Sequence, residues 1–112
     1  MSYSVYPTPA FSDQVKNLKK KYRSIGDDLL EYAGEFKKDK LPGDPITGFA
    51  NRVFKDRVKN WDNQKGKSAG YRLVYYVDHV EKDVYLLCLY SKNEKENLRK
   101  DEINHLLRQL GL

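Results

Sequence analysis

A chain of 112 residues has room for one ordinary domain, spanning residues 1–112, and no second. Its 9 Tyr, 4 Phe and 1 Trp are enough aromatic mass to reject a disordered polyampholyte. The single Cys excludes an intrachain disulfide and a multi-Cys zinc site, and the formal net charge of +5 points away from cationic partners.

Ser2–Tyr6 alternates and is β-prone, which predicts a short first strand. Thr8-Pro9 follows as an N-cap with Pro at the first helical position. Phe11, Val15, Leu18 and Tyr22 then fall on one helical face, with Lys16, Lys19, Lys20 and Lys21 around the rest as a solvated face. Ser24 is placed to cap a second helix, whose stripe is Ile25, Leu29, Leu30, Ala33 and Phe36. The two make an αα-hairpin. Leu41–Gly48 contains Pro42, Gly43 and Pro45 and reads as a connector.

Arg52–Val58 reads as a strand with Lys55 and Arg57 on one face and Phe54, Asp56 and Val58 on the other. Asn60–Gly70 reads as a loop. Tyr71–Val77 and Asp83–Tyr90 are apolar on both faces, as central strands are, and Asp78–Lys82 is the turn between them. Ile103, Leu106, Leu107 and Leu110 give a last amphipathic helix stopped by Gly111. The expected fold is α+β, in the order β-α-α-β-β-β-α: an antiparallel sheet with an N-terminal helical hairpin on one face and the other face or its rim left free. No apolar run approaches the roughly 18 residues of a membrane span, and no export signal opens the chain, so no membrane contact and a cytoplasmic location are expected.

The charge is unevenly spread. Residues 51–72 hold seven Lys/Arg against two Asp, whereas the rest of the chain balances. Such a local field suits a polyanion, because neutralised phosphates release counterions. His79 and His105 have no partner at metal-ligand spacing, Cys88 lies mid-strand as a small hydrophobe, and Lys65-Gly66-Lys67-Ser68 lacks the upstream Gly of a phosphate-binding loop. No metal and no cofactor are expected. What remains is cationic and phenolic. In an antiparallel pair one strand's start lies beside its neighbour's end, so Arg72 should meet Tyr90 to Lys92 at one edge, under the Lys65–Lys67 loop.

Three blocks carry a resemblance: Lys65-Gly-Lys-Ser-Ala-Gly-Tyr-Arg-Leu-Val-Tyr-Tyr76, then Leu86-Leu-Cys-Leu-Tyr-Ser-Lys-Asn-Glu94, then Asn97-Leu98 with Glu102-Ile103. Their order and spacing resemble the RelE/HigB branch of bacterial type II toxins, the ribosome-dependent mRNA interferases. Ala69 stands where that family often has Gly, and Ser68 where Arg is frequent. The resemblance implies a metal-independent endoribonuclease that cuts mRNA in the ribosomal A site, held off by a cognate antitoxin protein. It implies Lys65, Lys67, Arg72, Tyr90 and Lys92 as catalytic residues, with Arg57 assisting. Lys55, Arg57 and Lys59 are the expected RNA-binding residues.

The chemistry is attack of a 2′-OH on the adjacent phosphorus. Lys and Arg side chains can stabilise the phosphorane. A Lys whose pKa is depressed by neighbouring cations can act as base, and Tyr90 can stack on a base or move a proton if those cations lower its pKa. Arg stays protonated and is no base. With so few acid–base groups, free RNA should be a poor substrate, and the ribosome is expected to supply positioning. Two rivals share the fold or the charge: a ParE-like, non-catalytic gyrase poison, and a basic RNA-binding module without activity.

Overall fold

Thr8 uses one hydroxyl to end a strand and begin a helix. Its Oγ1 donates to the Leu86 carbonyl at 2.8 Å and accepts from the Phe11 amide at 3.3 Å. The strand is β1 (Ser4–Pro7) and the helix α1 (Pro9–Lys19), with Pro at the first helical position, where no amide partner is needed. The computed structural model describes residues 2–61, 70–92 and 97–112. The remaining elements are α2 (Ile25–Lys37), β2 (Asp44–Pro45), β3 (Val53–Val58), β4 (Tyr71–Asp78), β5 (Asp83–Ser91) and α3 (Lys100–Gln109).

The strands form one sheet in the order β1-β5-β4-β3-β2. The expected α+β order is observed with two additions. A two-residue β2 forms inside the Leu41–Gly48 connector and pairs with β3. The β1–β5 pair is parallel within an otherwise antiparallel sheet, because the helical hairpin intervenes before the chain returns.

The helical hairpin covers one face. Phe11, Leu18, Tyr22, Ile25 and Phe36 pack there on Phe54, Leu73, Tyr75, Val77 and Leu89. Phe36 and Phe54 flank Tyr75, edge-on at 5.0 Å and stacked at 5.4 Å. Contrary to expectation, the opposite face is not left open. Ile103 and Leu107 of α3 pack on Val53, Val74, Leu87 and Cys88. Four apolar positions on a single helix are too many to leave in water, and burying each is worth about 1.5–3 kcal/mol. The chain therefore ends as a cap on the second face. Gly111, at φ 75°, supplies the left-handed residue that stops the cap.

Ser24 stands at the N-cap of α2, as expected, but its hydroxyl oxygen accepts no capping bond from the helix amides; the hydroxyl donates instead to Asp28 Oδ2 at 2.8 Å. Asp28 is buried and accepts two further bonds, from the Tyr71 hydroxyl at 3.1 Å and the Trp61 amide at 3.4 Å. One carboxylate thus fixes the end of the segment leaving β3 and the start of β4 against α2.

Burial pushes the Tyr75 phenol far above its ordinary pKa of 10.0, and burial with the Asp56 carboxylate does the same for Tyr32, which donates to Asp56 Oδ2 at 3.0 Å. Above about pH 10 the unfolded chain releases these protons while the native state keeps them. Stability is therefore unaffected by them below that pH and falls above it, by about 1.4 kcal/mol per pH unit for each tyrosine held neutral. Tyr75→Phe should flatten this decline in urea titrations run from about pH 9 to pH 12. An unchanged slope would show that Tyr75 ionises freely in the fold.

Candidate functional site

The face under α3 is ordered in rows by the register. Val53, Tyr76 and Tyr85 form one row, Lys55, Val74 and Cys88 the next, and Arg57, Arg72 and Tyr90 the last. Side chains directly opposite one another across antiparallel strands stand about 4.5–5.5 Å apart at Cβ. The aromatic and aliphatic rows lie in the cluster that α3 caps. The third row brings two guanidinium groups and a phenol together at the end of the sheet.

This row depends on an irregularity. The pairing shifts between Val74 and Tyr75, so that Val74 meets Cys88 and Tyr75 meets Leu86. Leu87 is the extra residue of a β-bulge, and Leu87 and Cys88 both join the cluster under α3. Without the bulge, strict alternation from Tyr85 would turn Tyr90 to the hairpin side. With it, Tyr90 shares a face with Arg72.

A cavity of about 420 Å³ opens over the row, lined by Asp44, Lys55, Asp56, Arg57, Arg72, Tyr90 and Asn97. Arg57 is exposed and makes no ion pair among the described residues. Its backbone amide donates to Asp56 Oδ1 at 2.8 Å, and its side chain lines the cavity. The connector comes close beside the row. At Gly43, φ is 90°, and a Cβ there would collide with the Lys55 carbonyl oxygen and stand 2.6 Å from Asp56 Cβ, so only glycine lets the two segments approach.

The Tyr90 phenol is raised above its ordinary pKa. Burial is the main cause. Arg72 and a hydrogen bond with the Leu98 backbone pull the other way and are outweighed. Among the described residues the condition set for a lowered phenol is not met: desolvation of the phenolate outweighs the Arg72 guanidinium. At neutral pH Tyr90 carries its proton and can donate it.

The other residues singled out in the sequence are placed less uniformly. Lys55 lines the same cavity from the neighbouring row. Lys92 is exposed just past the end of β5 and does not line it. Lys59 is drawn to another surface, its ammonium 3.5 Å from the centre of the Trp61 ring, whose Nε1 donates to Glu31 Oε2 at 2.8 Å. Lys65 and Lys67 lie outside the described residues. Asp44, Asp56 and Asn97 were not expected at the cavity; Asp44 arrives through the unforeseen pairing of β2 with β3. Among the described residues no three His, Cys, Asp or Glu side chains converge as metal ligands would.

A larger cavity of about 640 Å³ lies between α1, β5 and α3, beside Tyr90. Asp101 and Glu102 line it with one permanent cation, Arg108, whereas the smaller cavity sets three cations, Lys55, Arg57 and Arg72, against Asp44 and Asp56.

The family model described as the RelE toxin of the RelE/RelB toxin–antitoxin system matches residues 12–111. The chain belongs to the RelE toxin family. Its fold is similar to that of an arginine-to-alanine double mutant of the E. coli toxin RelE in the free state, with TM-score 0.62 and 12% identity over 97% of this chain and 98% of that one. It is also similar to the toxin–antitoxin complex RelBE2 of Mycobacterium tuberculosis, with TM-score 0.59 and 19% identity over 81% of this chain and 99% of that one. No curated protein matches in sequence. In this RelE-family chain the described parts of the three sequence blocks are β4 as far as Tyr76, β5 from Leu86 with Lys92 beyond it, and the entry and first turn of α3. No helix among the described residues is long and apolar enough to cross a membrane.

Proposed function

We propose that this chain is the toxin of a toxin–antitoxin pair and cuts mRNA bound to the ribosome, by attack of a 2′-OH on the adjacent phosphorus. The observation that carries the reading is the Arg57–Arg72–Tyr90 row facing a cavity large enough for a nucleotide's phosphate and sugar. In the reaction a bond forms between the 2′-oxygen and phosphorus, and the bond to the 5′-oxygen breaks. Arg72 and Arg57 hold the non-bridging oxygens as charge builds on the phosphorane. Tyr90, half-buried with its phenol raised above the ordinary pKa, keeps its proton at neutral pH and gives it to the departing 5′-oxygen. The 2′-OH proton passes to a base outside this row, for which Lys65 and Lys67 are the candidates in the sequence. Lys55 and Lys92 act as phosphate contacts beside it, while Lys59, held on Trp61, takes no part in the row. No metal or cofactor enters the scheme.

The base is the weakest part of this set, and the ribosome supplies the missing positioning. The same cations are the landing place for an acidic antitoxin segment, which would block the site by occupying it. The named complex of the mycobacterial relative supports an antitoxin as partner.

Inducing the chain in growing bacteria tests this reading against the gyrase poison and the inactive binder. Arrest of translation with breaks in translated mRNA is the expected result. DNA damage with intact mRNA, or unimpaired growth with abundant folded protein, would overturn it.

A further inference from the structure

The helical hairpin carries a second cationic surface. Residues 16–23 include Lys16, Lys19, Lys20, Lys21 and Arg23, with no carboxylate between Asp13 and Asp27. All five are exposed, and none makes an ion pair among the described residues. Lys16, Lys19 and Lys20 occupy one stripe of α1, at i, i+3 and i+4, where like charges repel. A cation or two at a helix C-terminus is favoured by the dipole, but five without a counter-charge exceed what it requires.

The fold brings this surface to the end of the sheet that holds the candidate site. Thr8 bonds to Leu86, Gln14 accepts from the Leu89 amide at 2.7 Å, and the Tyr22 ring meets the Tyr71 ring at 5.7 Å. Helix α1 therefore runs along β5 toward Ser91, the partner of Tyr71. Tyr71 faces the hairpin and its neighbour Arg72 faces the cavity. The lysine stripe and the Arg57–Arg72–Tyr90 row thus lie on the two faces of one sheet end. Lys21 is partly engaged, its ammonium 5.4 Å from the Tyr22 ring centre, which leaves Lys16, Lys19, Lys20 and Arg23 to meet a partner.

We propose that the stripe of Lys16, Lys19 and Lys20, with Arg23, binds the sugar–phosphate backbone of structured RNA, separately from the strand held at the cavity. The proposal deepens the ribosome-directed reading and rests on it for biological purpose. Side chains three and four residues apart on a helix are spaced about 5–6 Å at Cβ, which lets neighbouring ammonium groups address successive phosphates of one strand. Such contacts position the molecule without reading sequence.

The test uses a 20-base-pair RNA duplex and, in parallel, 70S ribosomes carrying mRNA. The triple variant K16A/K19A/K20A should bind the duplex at least tenfold more weakly at low salt, and its slope of log affinity against log salt should be shallower by about 2–3. The variant K16R/K19R/K20R, which keeps the charge, should retain both. On ribosomes the triple alanine variant should need more ribosomes to reach half-maximal cleavage while its rate at saturation stays near wild type. Unchanged duplex affinity and salt slope in the folded triple alanine variant, as an acidic protein target would give, overturns the proposal. If the wild-type chain binds the duplex through this stripe yet cuts no ribosome-bound mRNA, the cleavage reading fails and the RNA-binding surface stands.

Discussion

Arg72→Ala is expected to slow single-turnover cleavage of ribosome-bound mRNA by about 10²–10³ with little change in thermal stability. The guanidinium sits in the middle of the cross-strand row, between Arg57 and Tyr90, where the phosphorane's charge would form. Arg72→Lys should recover only part of the loss, because an ammonium cannot present two parallel donors to a phosphate. Tyr90→Phe should cost about 10²–10⁴ by removing the proton donor while leaving the ring to pack. The outer position of Arg57, exposed on β3, predicts a smaller loss. A near-wild-type rate for Arg72→Ala would remove the row from the chemistry.

The largest stability effect is expected at Asp28. Replacing it by alanine leaves the fully buried Tyr71 hydroxyl, the Ser24 hydroxyl and the Trp61 amide without their shared acceptor. Losing a charged acceptor of buried hydrogen bonds costs about 1–3 kcal/mol, so Asp28→Ala should lose about 2 kcal/mol, measured by equilibrium urea unfolding. Asp28→Asn keeps the shape and one acceptor oxygen and should lose about half as much. Tyr71→Phe removes one donor with its polar atom and should cost about 1 kcal/mol. A loss below about 1 kcal/mol for Asp28→Ala would show that the three donors find water instead and that the carboxylate is no anchor.

Local chemistry made most of the elements readable. Thr8-Pro9 marks a helix start by its own side chains, and the apolar spacing of Phe11, Leu18 and Ile25 to Phe36 marks the face that is buried. The features that were not readable depend on distant partners. Val84 to Tyr90 is apolar on both faces, so alternation gives no hint of the bulge at Leu87 that decides which way Tyr90 points. Asp28 looks like an ordinary first-turn acid, and only Trp61 and Tyr71, 33 and 43 residues away, make it a buried anchor. The second cover, α3, was legible as a helix, but nothing in its own periodicity names the sheet face it takes.

The candidate site divides in the same manner. Pairing of Arg72 with Tyr90 follows from antiparallel geometry and was expected; the entry of Arg57 into the same row adds β3 to it. Lys59 belongs to the same basic stretch of sequence, but Trp61 takes its ammonium to another surface. Charge counting along a chain gives the sign of a region, and the register decides which of its charges can act together.

The central claim is that this row breaks RNA through the RNA's own 2′-OH. The direct measurement is cleavage of ribosome-bound mRNA carrying a single 2′-deoxy nucleotide on the 5′ side of the cut. The account predicts that this substitution abolishes cleavage at that site, and that all-ribose mRNA yields a 2′,3′-cyclic or 3′-phosphate and a 5′-OH. Persistent cleavage of the deoxy-substituted mRNA, leaving a 3′-OH and a 5′-phosphate, would contradict it.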